Sequence, residues 1–476
     1  ALMTEYSHNL FPKSDSSLID KFEQMLKLRD AYYFDVEEVE AIVDYYLDKT
    51  NYRKAKVAVN HGLSMFPDIS ALLLKKAQIF AATDESDKAL DVLQFLEAAE
   101  PTNTEMLLFK AVVHRKLNDH EGTRACLLRA LKVSPENRDQ IFLDLAYEQQ
   151  IANDYKGAIE SIKESLTINP NYEAGLFELS YCYEMANEIE LGVEFFQKYL
   201  DRYPYNFVAW YNLAMCYDKI GLYEKSVEAA DFCTAIRGDF VGGYILKGNV
   251  LTAMEMDLAA IEAYKDSLEY DNENPLVYTA IGECQERMEM WSHAELNYKK
   301  ALAIDPEYIE ALMGIGAIRE HEGDLVNAIS HYKEAVKKDD FHLDNRHILV
   351  EAYIKSNQIE KAKTHLEEMI KIFPDDAESW VALAEVSAGE NYLIPLEIID
   401  QAIEKIPDEH DLKWQKIKYL IKLGKEQQAI DLYIHTSSDN PDGIKYFLTI
   451  FPEVLQFPNI ASLIEIQDKA QQENEL

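Results

Sequence analysis

The chain has 476 residues, of which 47 are basic and 85 are acidic, so its formal net charge at neutral pH is −38. A surface this negative repels phosphate groups, which excludes generic nucleic-acid binding and disfavours anionic membranes. With 48% hydrophobic residues, 17 glycines and 14 prolines, the composition indicates a folded helical protein and excludes a disordered or turn-rich β chain. Five cysteines are too few for a disulfide framework and fit a reducing compartment.

The N-terminal segment carries no strong targeting signal. No apolar secretory segment opens the chain and no apolar run is long enough to cross a membrane, so we expect a cytoplasmic protein without membrane insertion. Ala1 and Leu2 precede Met3, which leaves the natural N-terminus open. Residues 1–35 are expected to form a tail and one amphipathic capping helix over 18–34.

From residue 36 onward the sequence repeats with a period of 34. Seven prolines are separated by 34 or 35 residues or by whole multiples of 34: Pro67, Pro101, Pro135, Pro170, Pro204, Pro306 and Pro374. Positions eight and twenty of each unit are small, as at Gly282 and Ala294, whereas positions four and twenty-four are bulky, as at Tyr278 and Tyr298. Small residues at fixed places allow two helices to approach closely. Each unit is therefore a predicted helix-turn-helix that must stack on its neighbours to bury its apolar faces.

This pattern closely resembles the tetratricopeptide repeat family. Its residues in 207–221 are Trp210, Leu213, Ala214 and Tyr217, and in 275–306 they are Tyr278, Ile281, Gly282, Ala294, Tyr298, Ala301 and Pro306. The resemblance implies an all-α, right-handed superhelical solenoid of about 11–12 repeats with helical caps. Regular units are expected over 36–376, two degenerate units over 377–440, and capping helices with a polar tail over 441–476. The apolar run at 450–457 either covers the last repeat or forms an exposed docking patch.

Known catalytic and metal-binding patterns are missing from the sequence. There is no CxxC pair, phosphate-binding glycine loop, GxSxG or EF-hand loop. Cys182, Cys216 and Cys284 share position ten of their units, which helix packing explains. His342 and His347 are five residues apart and so lie off a common helix face. We therefore expect no enzyme, no cofactor and no metal site.

The remaining candidate is a binding surface. In the family that this chain resembles, the first helix of each unit lines a concave groove. The candidate groove residues are Asp144, Tyr147, Phe177, Glu178, Tyr181, Glu184, Tyr211, Asn212, Met215 and Asp218. Aromatic groups beside carboxylates suit a protein or peptide with basic and apolar character. The alternative is that these aromatic side chains simply pack into neighbouring helices.

The predicted function is a non-catalytic protein–protein interaction scaffold or adaptor that binds a peptide or protein segment in its concave groove. The alternative is a regulatory or co-chaperone-like subunit whose activity resides in its partner. A third hypothesis, an enzyme with an unrecognised site, leaves little of the chain to carry it, because the repeats occupy most of the sequence. The identity of the partner and the oligomeric state stay open.

Overall fold

The computed structural model describes residues 16–28, 32–389 and 391–474, and within these ranges the chain forms helices and turns with no β-strand. It divides into two compact units, one ending at Gly238 and the other beginning at Asp239. The expected all-α class is therefore confirmed.

The described part of the N-terminal unit contains thirteen helices. They are α1 (Ser16–Leu28), α2 (Val36–Asp48), α3 (Tyr52–Met65), α4 (Ser70–Ala82), α5 (Ser86–Ala99), α6 (Thr104–Lys116), α7 (His120–Val133), α8 (Arg138–Ile151), α9 (Tyr155–Ile168), α10 (Glu173–Met185), α11 (Ile189–Arg202), α12 (Phe207–Lys219) and α13 (Tyr223–Ile236). After α1, consecutive helices form six hairpins, and each hairpin packs on the next one along the chain.

The C-terminal unit continues with the same organisation. Its helices in the described ranges are α14 (Val241–Ala253), α15 (Asp257–Leu268), α16 (Pro275–Arg287), α17 (Trp291–Ile304), α18 (Ile309–His321), α19 (Leu325–Lys338), α20 (Leu343–Lys355), α21 (Ile359–Ile372), α22 (Ala377–Val386), α23 (Leu393–Lys405), α24 (His410–Lys422), α25 (Glu426–Asp439), α26 (Gly443–Ile450) and α27 (Pro458–Asn474), with a 3₁₀ helix at Pro452–Gln456. The helices from α14 to α25 form six further hairpins.

Nearly every first helix of a hairpin ends in the same backbone turn, which contains one residue with positive φ. These residues are Thr50, Asp84, Asn118, Asn153, Asn187, Gly221, Glu255, Glu289, Gly323, Asn357 and Gly424. The following residue donates its N–H to a carbonyl five residues earlier, as Asp119 does to His114 at 2.9 Å. This is the Schellman motif, which satisfies carbonyl groups that have no partner inside the helix. Within the described ranges, α22 is the only first helix of a hairpin that ends without this motif.

Small and large side chains meet inside each hairpin at the positions that the sequence predicted. A Cβ added to Gly282 in α16 would lie 2.7 Å from the Cε1 atom of Tyr298 in α17, too close for any real contact. Gly248 faces Tyr264 and Gly316 faces Tyr332 in the same way. In these three hairpins a glycine leaves room for a buried tyrosine ring, which fixes how the two helices pack.

The N-terminal cap differs from the sequence prediction. A single helix was expected over 18–34, but α1 ends at Leu28 and residues 32–35 are not helical. Asp35 has extended backbone and caps α2, accepting the N–H of Glu38 at 2.8 Å while Glu38 accepts the N–H of Asp35 at 3.0 Å. In this reciprocal capping box the N-cap residue is not helical, so the helix must be interrupted before α2. Phe34 is fully buried there, with its ring centroid 6.1 Å from that of Phe22.

The C-terminal apolar run packs against the preceding helices. Phe451 and Val454 are almost fully buried in one cluster with Trp414 and Phe447. The Trp414 and Phe447 rings are stacked with their centroids 5.2 Å apart. Of the large hydrophobic residues in this run, Leu455 is the one left largely exposed. The segment thus covers the hydrophobic surface next to it, and little of it is available as a docking patch.

Candidate functional site

All ten candidate residues lie on α8, α10 and α12, the first helices of three successive hairpins in the N-terminal unit. We call the surface made by these three helices the first-helix face. Tyr147, Phe177 and Tyr181 are 52%, 37% and 46% exposed, although aromatic side chains gain most from burial. Tyr211 and Met215 are half-buried. The aromatic residues are therefore not simply absorbed by helix packing.

The exposed rings contact one another and one cation. Phe177 and Tyr211 meet edge to face across α10 and α12, with ring centroids 5.8 Å apart. Tyr181 lies 6.4 Å from Tyr155, also edge to face. The guanidinium of Arg115 stands 5.8 Å from the centre of the Tyr147 ring. These contacts hold the rings in defined orientations while leaving much of their surface accessible.

The four candidate carboxylates are half-buried and differ in their partners. Glu184 accepts a hydrogen bond from the ammonium group of Lys219 at 2.6 Å, and Glu178 accepts one from the amide of Gln150 at 2.9 Å. Desolvation raises the pKa of Asp144, an effect that the nearby Arg115 opposes. Desolvation also raises the pKa of Asp218, with Lys219 acting in the opposite direction.

Lys219 is a site residue that the sequence pattern did not predict. It lies at the end of α12, one residue after Asp218, and it neutralises one of the acids that the predicted site relies on. Lys219 and Glu184 are 35 residues apart in the sequence, close to one repeat period, and this spacing could have predicted the ion pair. The first-helix face is therefore less negative around Glu184 than the sequence suggested.

Asn212 does not reach the exposed surface. It is fully buried, and its amide nitrogen donates to the carbonyl of Val208 at 2.8 Å. Its Oδ1 atom accepts no hydrogen bond from the residues that the structure describes. The side chain of Asn212 thus lies in the interior, whereas that of the neighbouring Tyr211 is half-buried.

A buried charged network lies beside the first-helix face. Glu148 in α8 is completely buried and receives hydrogen bonds from Arg115 Nε at 2.6 Å and from His120 Nδ1 at 2.8 Å. Three helices, α6, α7 and α8, are joined through this one carboxylate. The sequence offered no signal for it, because Glu148 is one of 85 acidic residues.

The C-terminal unit holds an open cavity of about 340 Å³ along α16, α18 and α20. Apolar groups such as Met313 line part of it. The lining also includes four carboxylates, those of Glu283, Glu286, Glu310 and Asp339. Glu283, Glu310 and Met313 occupy positions nine, two and five of their units. In the family that this chain resembles, side chains at these positions face the groove. The pattern that selected Tyr147 and Phe177 could therefore also have selected these residues.

Other candidate chemistry is accounted for by packing. In the described ranges, no three His, Cys, Asp or Glu side chains lie close enough to hold a metal ion. Cys182 and Cys216 are buried, and desolvation raises the pKa of each thiol to about 12. His347 pairs with Asp376 at 3.0 Å, and His342 caps α20. None of the helices in residues 16–28, 32–389 and 391–474 has the length and apolar character needed to cross a membrane.

Three stretches of the chain match the tetratricopeptide repeat family: residues 174–204, 195–228 and 321–386. A curated relative is the N-terminal acetyltransferase A complex auxiliary subunit NAA15 of Arabidopsis thaliana, which is 24% identical over 236 residues. The match covers 47% of this chain and 26% of that subunit, so the chain spans about a quarter of the relative's length.

Solved structures that match this chain have lower sequence identity. Yeast Tom70 is 14% identical, with 90% of this chain and 98% of that chain covered and a TM-score of 0.42. The Cut9 and Hcn1 hetero-tetramer is 14% identical, with coverages of 84% and 92% and a TM-score of 0.39. Naa15 with Naa10, bound to HypK-THB, is 14% identical, with coverages of 83% and 67% and a TM-score of 0.36.

Proposed function

Because the chain belongs to the tetratricopeptide repeat family, we propose that it is a non-catalytic scaffold that binds a protein or peptide segment on its first-helix face. The observation that carries this proposal is the exposure of Tyr147, Phe177 and Tyr181 on successive hairpins. Aromatic side chains at the surface, fixed in orientation by their neighbours, are the residues that most often dominate binding energy at protein interfaces.

The charge around these rings supports a basic and apolar partner segment. Asp144 and Asp218 are carboxylates in partly desolvated positions where a positive charge would be stabilised more than in open water. The net charge of −38 adds a long-range attraction for cations. Apolar anchors on the segment would contact the rings while Lys or Arg side chains approach the acids.

A second candidate is a regulatory or co-chaperone-like subunit whose activity resides in its partner. The similarity to a protein named as an auxiliary subunit favours it, with coverage of 26% of that protein. Five buried and unbridged cysteines support the reducing, cytoplasmic setting expected from the sequence. Copurification followed by mass spectrometry distinguishes the candidates, since a subunit of an enzyme complex returns with one stoichiometric enzyme.

The test of the scaffold proposal uses the purified full chain and a partner identified by copurification. A variant with Tyr147, Phe177 and Tyr181 changed to Ala is compared with a control variant that removes exposed aromatic groups elsewhere, Tyr33, Phe95 and Tyr205. We expect the first variant to weaken binding by at least about tenfold, since a single hot-spot residue is worth about 2 kcal/mol. The control should leave the affinity unchanged.

A charge variant tests the polar half of the proposal. Reversing Glu178, Glu184 and Asp218 to Lys should weaken binding and flatten its dependence on salt concentration. Unchanged affinity in both the aromatic and the charge variants would place the binding surface elsewhere.

A further inference from the structure

The cavity of the C-terminal unit is lined by four acidic side chains that have no lysine or arginine among them in the described part of the chain. Glu283 and Glu310 make no ion pair or hydrogen bond with any residue that the structure describes. Glu286 accepts a hydrogen bond from the hydroxyl of Tyr298 at 2.7 Å. The negative charge of the cavity is therefore not balanced from within.

Nearby cations are engaged outside the cavity. The guanidinium of Arg287, which follows Glu286 in α16, is bonded to Asp257 at 2.6 Å and contacts Cys284 Sγ at 3.2 Å. Desolvation raises the pKa of Glu283, Arg287 acts against this effect, and the neighbouring Glu286 and Glu310 add to it. A positive charge in the cavity would offset the desolvation of Glu283 and reduce the mutual repulsion of these acids.

A second and independent feature of the cavity is a buried amide without a partner. Asn345 in α20 lines the cavity and is only 8% exposed. Its backbone N–H donates to His342 Nδ1 at 3.4 Å, but its side-chain amide makes no hydrogen bond with the described residues. Its polar atoms therefore remain accessible from the cavity, where they can bond to water or to a polar ligand.

The spacing of the acids and the apolar lining define the shape of that ligand. The described carboxylates and histidines do not come close enough together to bind a metal ion. Met313, Ala317 and Ile348 supply an apolar lining between the acids, and the rings of Tyr298 and Tyr332 border the same space. An extended organic cation with an alkyl stem matches this arrangement, with the stem on the apolar groups and the charge near the acids.

We propose that this cavity receives an arginine side chain from a partner protein. Arginine fits better than lysine because its five N–H donors can serve two separated carboxylates and the Asn345 carbonyl oxygen at once, whereas lysine presents a compact and strongly hydrated charge. The proposal rests on the scaffold function proposed above. It adds a second contact point, in the C-terminal unit, that selects the chemistry of the partner.

The test uses the intact chain and acetylated, amidated pentapeptides of sequence Leu-Ala-X-Ala-Leu, where X is arginine, lysine or the uncharged arginine analogue citrulline. Binding is followed by the ¹³C-methyl NMR signal of Met313, which reports on this cavity alone. We expect the arginine peptide to bind at least about tenfold more tightly than the citrulline peptide, because charge-assisted hydrogen bonds are roughly twice as strong as neutral ones. The lysine peptide should bind more weakly than the arginine peptide.

Three variants locate the effect. Glu283→Gln with Glu310→Gln should weaken arginine-peptide binding by about tenfold or more, and Asn345→Ala should weaken it further. The matched control is Glu334→Gln, which removes a carboxylate that is exposed on α19 and outside the cavity. Thermal melting of each variant verifies that it is folded.

Two results would overturn the proposal: equal binding of the arginine and citrulline peptides, or full binding by the Glu283 and Glu310 double variant. A lysine peptide that binds as tightly as the arginine peptide would overturn the choice of arginine. Since none of these variants touches the first-helix face, such failures leave the partner binding measured with the Tyr147, Phe177 and Tyr181 variant unaffected, and the two proposals fail separately.

Discussion

Arg115 Nε lies 2.6 Å from Glu148 Oε1, and this ion pair joins two helices, α6 and α8, in adjacent hairpins. Glu148 is completely buried and also accepts from His120. Removing one partner of a buried ion pair costs about 3–5 kcal/mol when the remaining charge has no other partner, and here the hydrogen bond from His120 offsets part of that cost. We therefore expect Arg115→Ala to lower the melting temperature markedly and to speed amide exchange in α6, α7 and α8.

The control for this prediction is Lys156→Ala. Lys156 Nζ lies 2.7 Å from Glu188, a similar separation, but its side chain is 75% exposed. Exposed ion pairs of this kind contribute little to stability. If the two variants melt at the same temperature, the Glu148 network does not hold the hairpins together.

The glycine at position eight should be irreplaceable where it faces a tyrosine ring. Gly282→Ala places a methyl group 2.7 Å from Tyr298, and Gly282→Leu adds more volume to the same packed site. Overpacking a core of this density costs about 1–3 kcal/mol. Urea unfolding should show this loss.

Gly389→Ala serves as the matched substitution. A Cβ at Gly389 meets no atom within 4 Å, so this variant should keep the wild-type stability. A Gly282→Ala variant as stable as the Gly389→Ala variant would mean that Tyr298 moves away freely.

Asp144 should make stability depend on pH in a direction opposite to that of most carboxylates. Because desolvation raises its pKa in the folded chain, the native state binds the proton more tightly than the unfolded state does. Stability should therefore fall as pH rises from about 3.9, the value of an unfolded aspartate, to the raised native pKa, and stay level above it.

The Asp144→Asn variant removes this titration. Its melting temperature should exceed that of the wild type at pH 7, and the difference should vanish toward pH 3.5. Asp91→Asn, an exposed position in α5, is the control that should match the wild type throughout. A difference that does not change with pH would show that the carboxylate of Asp144 is not the cause.

The first turn of α14 should open more readily than the equivalent turn of α18. Gly242 and Gly243 occupy that turn, whereas the first turn of α18 contains no glycine. Neither N-cap residue, Phe240 or Tyr308, makes a side-chain capping hydrogen bond, so the two glycines are the difference. Each glycine weakens a helix by roughly 0.5–1 kcal/mol relative to alanine. Hydrogen exchange should therefore be faster for amides 238–250 than for 306–318. Equal rates would show that the two glycines are held by packing.

The repeat register could be predicted from sequence because it depends on pairs of positions inside one hairpin. Gly282 and Tyr298 are sixteen residues apart, and the period places the same glycine–tyrosine pair in the units on either side, at Gly248 with Tyr264 and at Gly316 with Tyr332. The hairpin count followed from the same period, since the twelve hairpins in the part of the chain that the structure describes match the expected 11–12 repeats.

The depth of a side chain could not be predicted in the same way. Tyr211 and Asn212 are neighbours on α12, yet one is half-buried and the other completely buried. Their difference depends on how each helix is rotated against the next hairpin, which the period of a single sequence does not define. For the same reason the burial of Glu148 could not be predicted. The interruption between α1 and α2 was not predicted because apolar spacing alone does not indicate a capping box at Asp35.

The Schellman turns have a consequence for how this chain folds. Each of them closes through backbone bonds between residues no more than five apart, and most helix contacts join elements that are next to each other in the chain. Contacts so local need little loop closure, which is typical of rapid folding. During synthesis, a hairpin can thus close as soon as its 34 residues have left the ribosome, and the apolar face it exposes is covered by the next hairpin within seconds.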